Sequence, residues 1–233
     1  MAKVSKLPWI RILVEALTIF LAITLGFFAE NYREEMNNRG REREMIHQLL
    51  EDLETDLTEI APILNSNELR TNTMTWLNNN VGQASFTTDS VQAVLNPIRE
   101  EPAWIYNAGM SAFSSLKSSG RLDLISNDSL RNQILYYFED RIPPQVYRNR
   151  LSLQMERDWW ERLAPYVVQK TRRALDQMPG LIVVDVDGLG SDRQLLWASA
   201  ALGNIYFLQV KFFRELIELN GELAAAVNEY LAQ

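Results

Sequence analysis

Cysteine is absent from the 233 residues, and histidine occurs once, at His47. Without cysteine the chain has no disulfide, no thiolate nucleophile and no cysteine-based metal site, and one histidine cannot form a histidine metal cluster. We therefore interpret His47 as a solvated or capping side chain. The sequence predicts no enzyme activity and no metal or organic cofactor.

Clustered positive charge is also lacking. The chain has 23 lysine and arginine residues against 30 aspartate and glutamate residues, and its net charge is −7. Because proteins that bind DNA or RNA present a basic patch to the phosphates, we expect no nucleic-acid partner. The carboxylates of Glu51, Asp52, Glu54 and Asp56 are interpreted as a solvated helix face.

One acidic stretch, residues 185–192, allows two interpretations. It reads DVDGLGSD, and the carboxylates of Asp185, Asp187 and Asp192 could supply oxygen ligands to calcium. The stretch lacks the bidentate glutamate that closes an EF-hand loop, since Trp197 lies close to that position. A plain turn followed by a helix cap is the simpler interpretation, and both stay open here.

The main feature of the sequence is an apolar run near the N-terminus. Between Ile12 and Ala29 the only charged residue is Glu15. A helix from Trp9 to Tyr32, at ~1.5 Å per residue, is long enough to cross a hydrocarbon core of ~30 Å. These two aromatic residues stand where interfacial anchors are expected. We therefore predict a transmembrane anchor in residues 1–32, in preference to a cleaved signal peptide or a buried core helix.

The predicted anchor has a face of small or polar residues. They follow each other at spacings of three and four, so they share one side of a helix. Small residues allow a second helix to approach closely in lipid, and we expect this face to contact another transmembrane segment. For its acidic member, a carboxylate that reaches the headgroup region is the alternative. The face comprises Glu15, Thr18, Ala22, Gly26 and Ala29.

The orientation of the anchor depends on the charges that flank it. Basic residues lie on both sides, at Lys3, Lys6 and Arg11 and again from Arg33 to Arg43, so the positive-inside tally is nearly even. A short basic N-terminus ahead of a first apolar run usually stays in the cytoplasm. We predict the bacterial inner membrane, with the large domain in the periplasm.

Residues 33–233 predict one membrane-extrinsic domain, an all-α irregular helical bundle. Its first helix carries apolar residues at heptad spacing, and Pro62 is expected to bend or end it. Two or three short helices are expected between residues 66 and 107, one of them beginning near Asp89. The predicted heptad positions are Ile46, Leu50, Leu53, Leu57, Ile60 and Leu64.

The second half of the domain has clearer boundaries. A helix–turn–helix is predicted around Gly120, with Asn127 or Asp128 as the second N-cap. A long helix is predicted from Pro143 through Gln177, kinked at Pro165, with at least one of the pair Trp159 and Trp160 in the core. A short extended piece is expected at 181–184. The last helix is expected from about Arg193 to Leu231, with Ser191 or Asp192 as its N-cap. It should face inward through Leu202, Ile205, Leu208, Phe212, Leu216, Leu219, Leu223 and Val227.

Two stretches resemble a family of uncharacterised bacterial single-pass membrane proteins. One is Glu15 followed by ITLGFFAENYREE and QLLEDLETDL, and the other is LKSSGRLDLISNDSLRNQILYYF. The last helix is similar in character only. The resemblance implies an anchored helical domain and supplies no catalytic residue.

The leading hypothesis for function is a non-enzymatic accessory or scaffold subunit of a larger bacterial membrane complex, for example of the respiratory, reaction-centre or light-harvesting type. The expected partners are integral membrane protein subunits and the lipid bilayer. Two alternatives are kept: a proton- or ion-coupled membrane component that uses Glu15, and a membrane-anchored sensor that binds a ligand in the helical domain.

Overall fold

Two long helices, α1 and α7, form the frame of the molecule. The computed structural model describes residues 8–101, 103–169 and 180–232. Helix α1 spans Pro8–Asn80 and helix α7 spans Arg193–Leu231. They run antiparallel, because Met74 of α1 lies against Gly203 near the start of α7 while Glu42 bonds to Tyr230 at its end. The chain is mostly helical, as predicted.

The remaining elements pack around this pair. Helix α5, Ile142–Leu163, is the third long helix of the bundle. The shorter α-helices are α2 (Thr88–Glu100), α3 (Ser111–Ser118), α4 (Asp128–Leu135) and α6 (Val186–Ser191). Strands β1 (Val167–Gln169) and β2 (Leu181–Val183) pair antiparallel. Single turns of other helix types complete the described elements: 3₁₀ at Arg121–Leu124 and Ala164–Tyr166, and π at Tyr136–Arg141.

The three long helices meet along heptad seams. On α1 the buried positions recur at alternating spacings of three and four from Ile46 to Leu77, the pattern of a coiled-coil seam. On α7 the same pattern runs from Leu195 to Val227, and on α5 from Ile142 to Leu163. The α1 seam comprises Ile46, Leu49, Leu53, Asp56, Ile60, Ile63, Asn67, Arg70, Met74 and Leu77.

The predicted α1 seam is therefore only half right. Ile46, Leu53 and Ile60 are buried as expected, but Leu57 is exposed, and Leu50 and Leu64 are only partly buried. Asp56 takes the inward position that the prediction gave to Leu57. Asp56 and Asp52 are both buried, so the interpretation of this stretch as a fully solvated face is wrong for these two carboxylates.

The α7 seam needs a similar correction. Leu202, Leu216, Leu223 and Val227 are buried as predicted, whereas Leu208 is 47% exposed. The predicted face omitted several positions that point inward, namely Ser199, Tyr206, Gln209, Phe213 and Asn220. Ile205, Phe212 and Leu219 are only partly buried and lie beside the seam.

Several predicted boundaries are confirmed. Gly120 ends the α3 turn with a φ of 66°, a left-handed conformation that glycine adopts readily. The Asn127 side chain accepts the N–H of Leu130 at 3.0 Å and so caps α4. The last helix has the predicted bounds, with Asp192 as its N-cap. The expected extended piece is β2.

Other boundaries differ from the predictions. Helix α1 continues through Gly40 and Pro62 to Asn80, so the expected short helices begin only with α2. Pro62 has no backbone N–H and therefore removes one helical hydrogen bond. It is only partly buried, and the buried seam residues before and after it hold the helix together across this position. Helix α5 ends at Leu163, and Pro165 lies in the 3₁₀ turn that leads into strand β1, not at a kink within a longer helix. The predicted extension over 170–177 lies outside the described residues.

Candidate functional site

The predicted anchor face lies on the uncovered part of α1. Glu15, Thr18, Ala22, Gly26 and Ala29 are all exposed and share one side of a continuous helix. A methyl group added at Gly26 would have no atom within 4 Å. Within the described part of the chain, Glu15 has neither a hydrogen bond nor an ion pair. The face is thus free of intramolecular contacts, and its role stays a prediction.

The two predicted interface anchors bound this uncovered stretch. The Trp9 and Tyr32 side chains are 64% and 65% exposed. At ~1.5 Å per residue they lie about 35 Å apart along the helix. The hydroxyls of Thr18 and Thr24 donate to carbonyls one turn back, at 2.8 and 2.7 Å, so these polar groups are satisfied within the helix. By length and composition this part of α1 could cross a membrane.

The seams of the bundle contain polar side chains that sequence reasoning missed. On α5 four successive inward positions are polar, at Gln145, Asn149, Ser152 and Glu156. A buried polar group is costly unless it is hydrogen-bonded, so each must have a structural partner or a function. The signal that could have located them is the heptad spacing itself, which continues through polar residues.

Three buried polar side chains, Asp52, Asp56 and Asn149, bond to one stretch of the chain. We call this stretch, residue 101 and residues 103–113, the irregular segment; it runs into the first turn of α3. The Asn149 side chain accepts the N–H of Tyr106 at 2.8 Å and donates to the Trp104 carbonyl at 3.2 Å. One Asp52 carboxylate oxygen accepts the Ser111 hydroxyl at 2.7 Å, and the other accepts the Ala112 N–H at 2.7 Å. Asp52 therefore provides the N-terminal cap that α3 lacks in its own sequence.

Asp56 is the centre of this arrangement. It is 0% exposed and accepts the Gly109 N–H at 2.7 Å and the Tyr137 hydroxyl at 2.9 Å. The Asn220 amide nitrogen donates to the Tyr137 hydroxyl and to the Leu53 carbonyl, each at 2.9 Å. Four elements, α1, α7, the π-helical turn and the irregular segment, thus meet at one carboxylate.

The surroundings of Asp56 disfavour its charged form. Burial raises the pKa of Asp56 to about 6, against the opposing effect of the hydrogen bonds from Gly109 and Tyr137. In this core layer the Tyr137 and Tyr106 hydroxyls also have raised pKa values, because burial and the nearby Asp56 disfavour a phenolate. Among the described residues, the Tyr106 hydroxyl and the Asn220 side-chain oxygen have no hydrogen-bond partner. This layer can bind a proton close to neutral pH.

A second buried cluster lies nearer the C-terminal end of α1, farther from its uncovered N-terminal part. Arg70 and Glu156 are 2% and 4% exposed, and their Nε and Oε2 atoms are 2.9 Å apart. The Tyr206 hydroxyl also donates to this carboxylate, and the Trp160 indole donates to its other oxygen at 3.1 Å. Arg70 further donates to the carbonyl of Glu101 at 3.1 Å. The pair therefore links α1, α5, α7 and the start of the irregular segment.

The acidic stretch at 185–192 serves as helix caps. The Asp185 side chain accepts the Gly188 N–H at 2.8 Å, at the start of α6. Asp192 accepts hydrogen bonds from the N–H groups of Gln194 and Leu195 at 2.9 and 3.0 Å. These bonds lower the pKa of Asp192, and the bond from Leu195 has the larger effect. Within the described ranges no group of three or more acidic, histidine or cysteine residues is placed to hold a metal ion. The geometry favours the turn-and-cap interpretation.

The remaining singled-out residues lie apart from these clusters. His47 is exposed on α1. Trp159 is a core residue whose indole donates to the Ser199 hydroxyl at 2.7 Å, and Trp160 is only partly buried. One tryptophan of the pair is therefore in the core, as expected.

Comparisons of the chain with protein-family profiles, with curated protein sequences and with solved structures find no match. The resemblance to single-pass membrane proteins therefore stays a prediction.

Proposed function

We propose that this chain is a membrane-anchored, non-enzymatic accessory or scaffold subunit that binds and stabilises a larger bacterial membrane complex. Respiratory and photosynthetic complexes are examples of such assemblies. In this proposal the first part of α1 spans the inner membrane and the bundle stands in the periplasm. The partners are integral membrane protein subunits and the surrounding lipid.

The observation that carries the proposal is the continuity of α1. One helix of 73 residues supplies both the uncovered apolar stretch and a central seam of the domain. A flexible linker would let a domain move independently of its anchor, whereas a continuous helix fixes its height and direction. Such a rigid connection suits a subunit whose task is to hold a position next to a partner.

The anchor face supplies the expected contact. The bundle covers none of the membrane-span candidate, so its small residues are available to another transmembrane helix. Close backbone approach between helices in lipid relies on such residues, since lipid offers no hydrophobic driving force for association. Three buried polar groups of the domain, those of Asp52, Asp56 and Asn149, are engaged in holding its own irregular segment, which supports a structural role.

Purification in a mild detergent tests the proposal. A scaffold subunit should bring a stoichiometric set of other membrane proteins with it. Recovery of the chain alone, or only as a homodimer, would contradict the proposal and favour the sensor hypothesis.

A second candidate is a proton- or ion-coupled component, and the lack of any partner for Glu15 among the described residues favours it. An ionisable side chain on an apolar helix is costly unless it faces protein, water or headgroups. Replacing Glu15→Gln preserves the shape and removes the charge. A scaffold should retain its partners, losing about 1 kcal/mol of association free energy at most. A proton carrier should stay assembled and lose function.

A further inference from the structure

A pocket of about 350 Å³ opens beside the Arg70–Glu156 pair, between α1, α2 and α5. Its volume lies in the range of pockets that bind small molecules. Ile98 and Leu153 supply apolar wall, and Trp160 supplies an aromatic one. Arg70, Arg99 and Arg157 also line it, so three arginines lie at one concave surface.

The two acidic residues of the pocket are already engaged. Glu156 accepts hydrogen bonds from Arg70, Tyr206 and Trp160. Glu101 accepts the Trp104 indole N–H at 3.3 Å on its side chain and Arg70 on its carbonyl. The Glu156 carboxylate is therefore buried against the protein, whereas the Glu101 carboxylate keeps its charge at the pocket because it forms no ion pair with a described residue.

Three arginines line the pocket, against these two carboxylates. Arg70 pairs with Glu156, but Arg99 and Arg157 form no ion pair with any residue that the structure describes. The Arg99 guanidinium lies over the Trp160 ring, 5.8 Å from its centroid, which holds this cation at the pocket. Arg157 is exposed on the α5 side. At this apolar-walled pocket, the two arginines that have no ion pair to a described residue thus outnumber the one such carboxylate, that of Glu101.

We propose that this pocket binds a small organic carboxylate with an apolar body. The carboxylate would lie between Arg99 and Arg157, since guanidinium groups match carboxylates in planar hydrogen bonding. The body would contact Ile98, Leu153 and Trp160. This inference is independent of the membrane partners and adds ligand binding to the extramembrane domain.

Isothermal titration calorimetry on the full-length protein in detergent micelles tests the proposal with benzoate as the probe. Benzoate carries both a carboxylate and a flat apolar body, and we expect saturable binding in the millimolar range or tighter. Benzamide has the same shape without the charge, and acetate has the charge without the body. Both should bind at least about fivefold more weakly.

Variants of the protein locate the site. Arg157→Gln removes an exposed cation that makes no ion pair with a described residue, so the fold should stay intact, which circular dichroism checks. We expect benzoate to bind this variant about fivefold to tenfold more weakly, and Arg99→Gln similarly. Arg150→Gln, an exposed arginine on the same helix that does not line the pocket, is the matched control and should bind as the wild type.

Three outcomes would each overturn the proposal. They are the absence of saturable benzoate binding to the wild type, equal binding of benzamide, and unchanged binding by the folded Arg157→Gln variant. None of them bears on co-purification with membrane partners, so this test and that of the scaffold proposal fail separately.

Discussion

Asp56 is an acidic side chain in the interior of the bundle. Its carboxylate is fully buried, and no cation among the described residues pairs with it. The groups that face it are the Gly109 N–H, the hydroxyls of Tyr137 and Tyr106, and the carboxylate of Asp52, which repels it. Ionisation in such a site costs free energy, and the hydrogen bonds from Gly109 and Tyr137 offset this cost only in part.

The pH dependence of stability follows from this raised pKa. Because the pKa of Asp56 is about 6 in the folded chain against an ordinary 3.8, a bound proton stabilises the fold. This contribution is fully present below pH about 4 and is lost as the pH rises through about 6. It corresponds to roughly 3 kcal/mol in the free energy of unfolding.

Replacing Asp56→Asn should remove this contribution. The amide oxygen can still accept the Gly109 N–H, and the amide nitrogen can donate to the Tyr137 hydroxyl. Urea unfolding between pH 4 and 7 should show a shallower loss of stability than in the wild type, and equal or higher stability at pH 7. Glu51→Gln, at an exposed carboxylate of the same helix, is the control. An unchanged pH slope in Asp56→Asn would show that this carboxylate ionises freely.

Helices α1 and α7 lie close together at Gly203. A methyl group placed there would lie 2.9 Å from Cβ of Met74, which is closer than real contacts allow. The two backbones would have to separate. A methyl group at Gly221, on the same helix, would have no atom within 4 Å.

This pair gives a matched test of the α1–α7 contact. Gly203→Ala should lower the free energy of unfolding by about 1–3 kcal/mol through overpacking. Gly221→Ala should raise it by about 0.5–1 kcal/mol, because alanine loses less backbone entropy than glycine in a helix. Thermal unfolding of both variants measures the difference. Equal shifts of the same sign would place the contact elsewhere.

The helices were predictable from the sequence where the local signal was strong. The caps at Asn127 and Asp192 and the glycine turn at Gly120 act within a few residues. Spacing and residue type therefore located the turn and narrowed each cap to two neighbouring residues. The inward face of α1 was harder to assign. Leu57 continues an apolar heptad, and only contacts with distant segments favour the burial of Asp56 instead.

The irregular segment could not be predicted at all. Its backbone groups are satisfied by Asp52, Asp56 and Asn149, and the bonded residues are separated by 43 to 60 positions in the chain. The antiparallel pair β1–β2 depends on similar contacts, since the Asn96 side-chain oxygen of α2 accepts the Leu181 N–H at 2.7 Å. Local propensity contains no information on such pairings, and helix was the default expectation for residues 164–169.

For the molecule as a whole, the continuity of α1 means that the orientation of the apolar stretch also decides on which side of the membrane the bundle lies. If the apolar stretch spans the membrane with its N-terminus in the cytoplasm, the entire bundle lies on the other side. A C-terminal alkaline phosphatase fusion at Gln233 should then be active, and a cytoplasmic reporter at the same position should be inactive. The reverse pattern would place the domain in the cytoplasm.

In the proposed function, the small-residue face of the anchor binds a partner helix. Because a side chain at Gly26 would meet nothing in this chain, a substitution there should leave its own fold intact. Phe28 is 68% exposed on the same stretch, outside the small-residue face, and is the matched control. Both positions can therefore be changed without altering the bundle.

Quantitative co-purification in mild detergent of the wild type, Gly26→Leu and Phe28→Leu tests this claim most directly. The wild type and Phe28→Leu should recover the same partners in the same proportion, since lipid accepts any apolar shape. Gly26→Leu should lose most of them, because bulk prevents close backbone approach. If the wild type recovers no partner, or if the two variants behave alike, the anchor holds the domain at the membrane and binds nothing through this face.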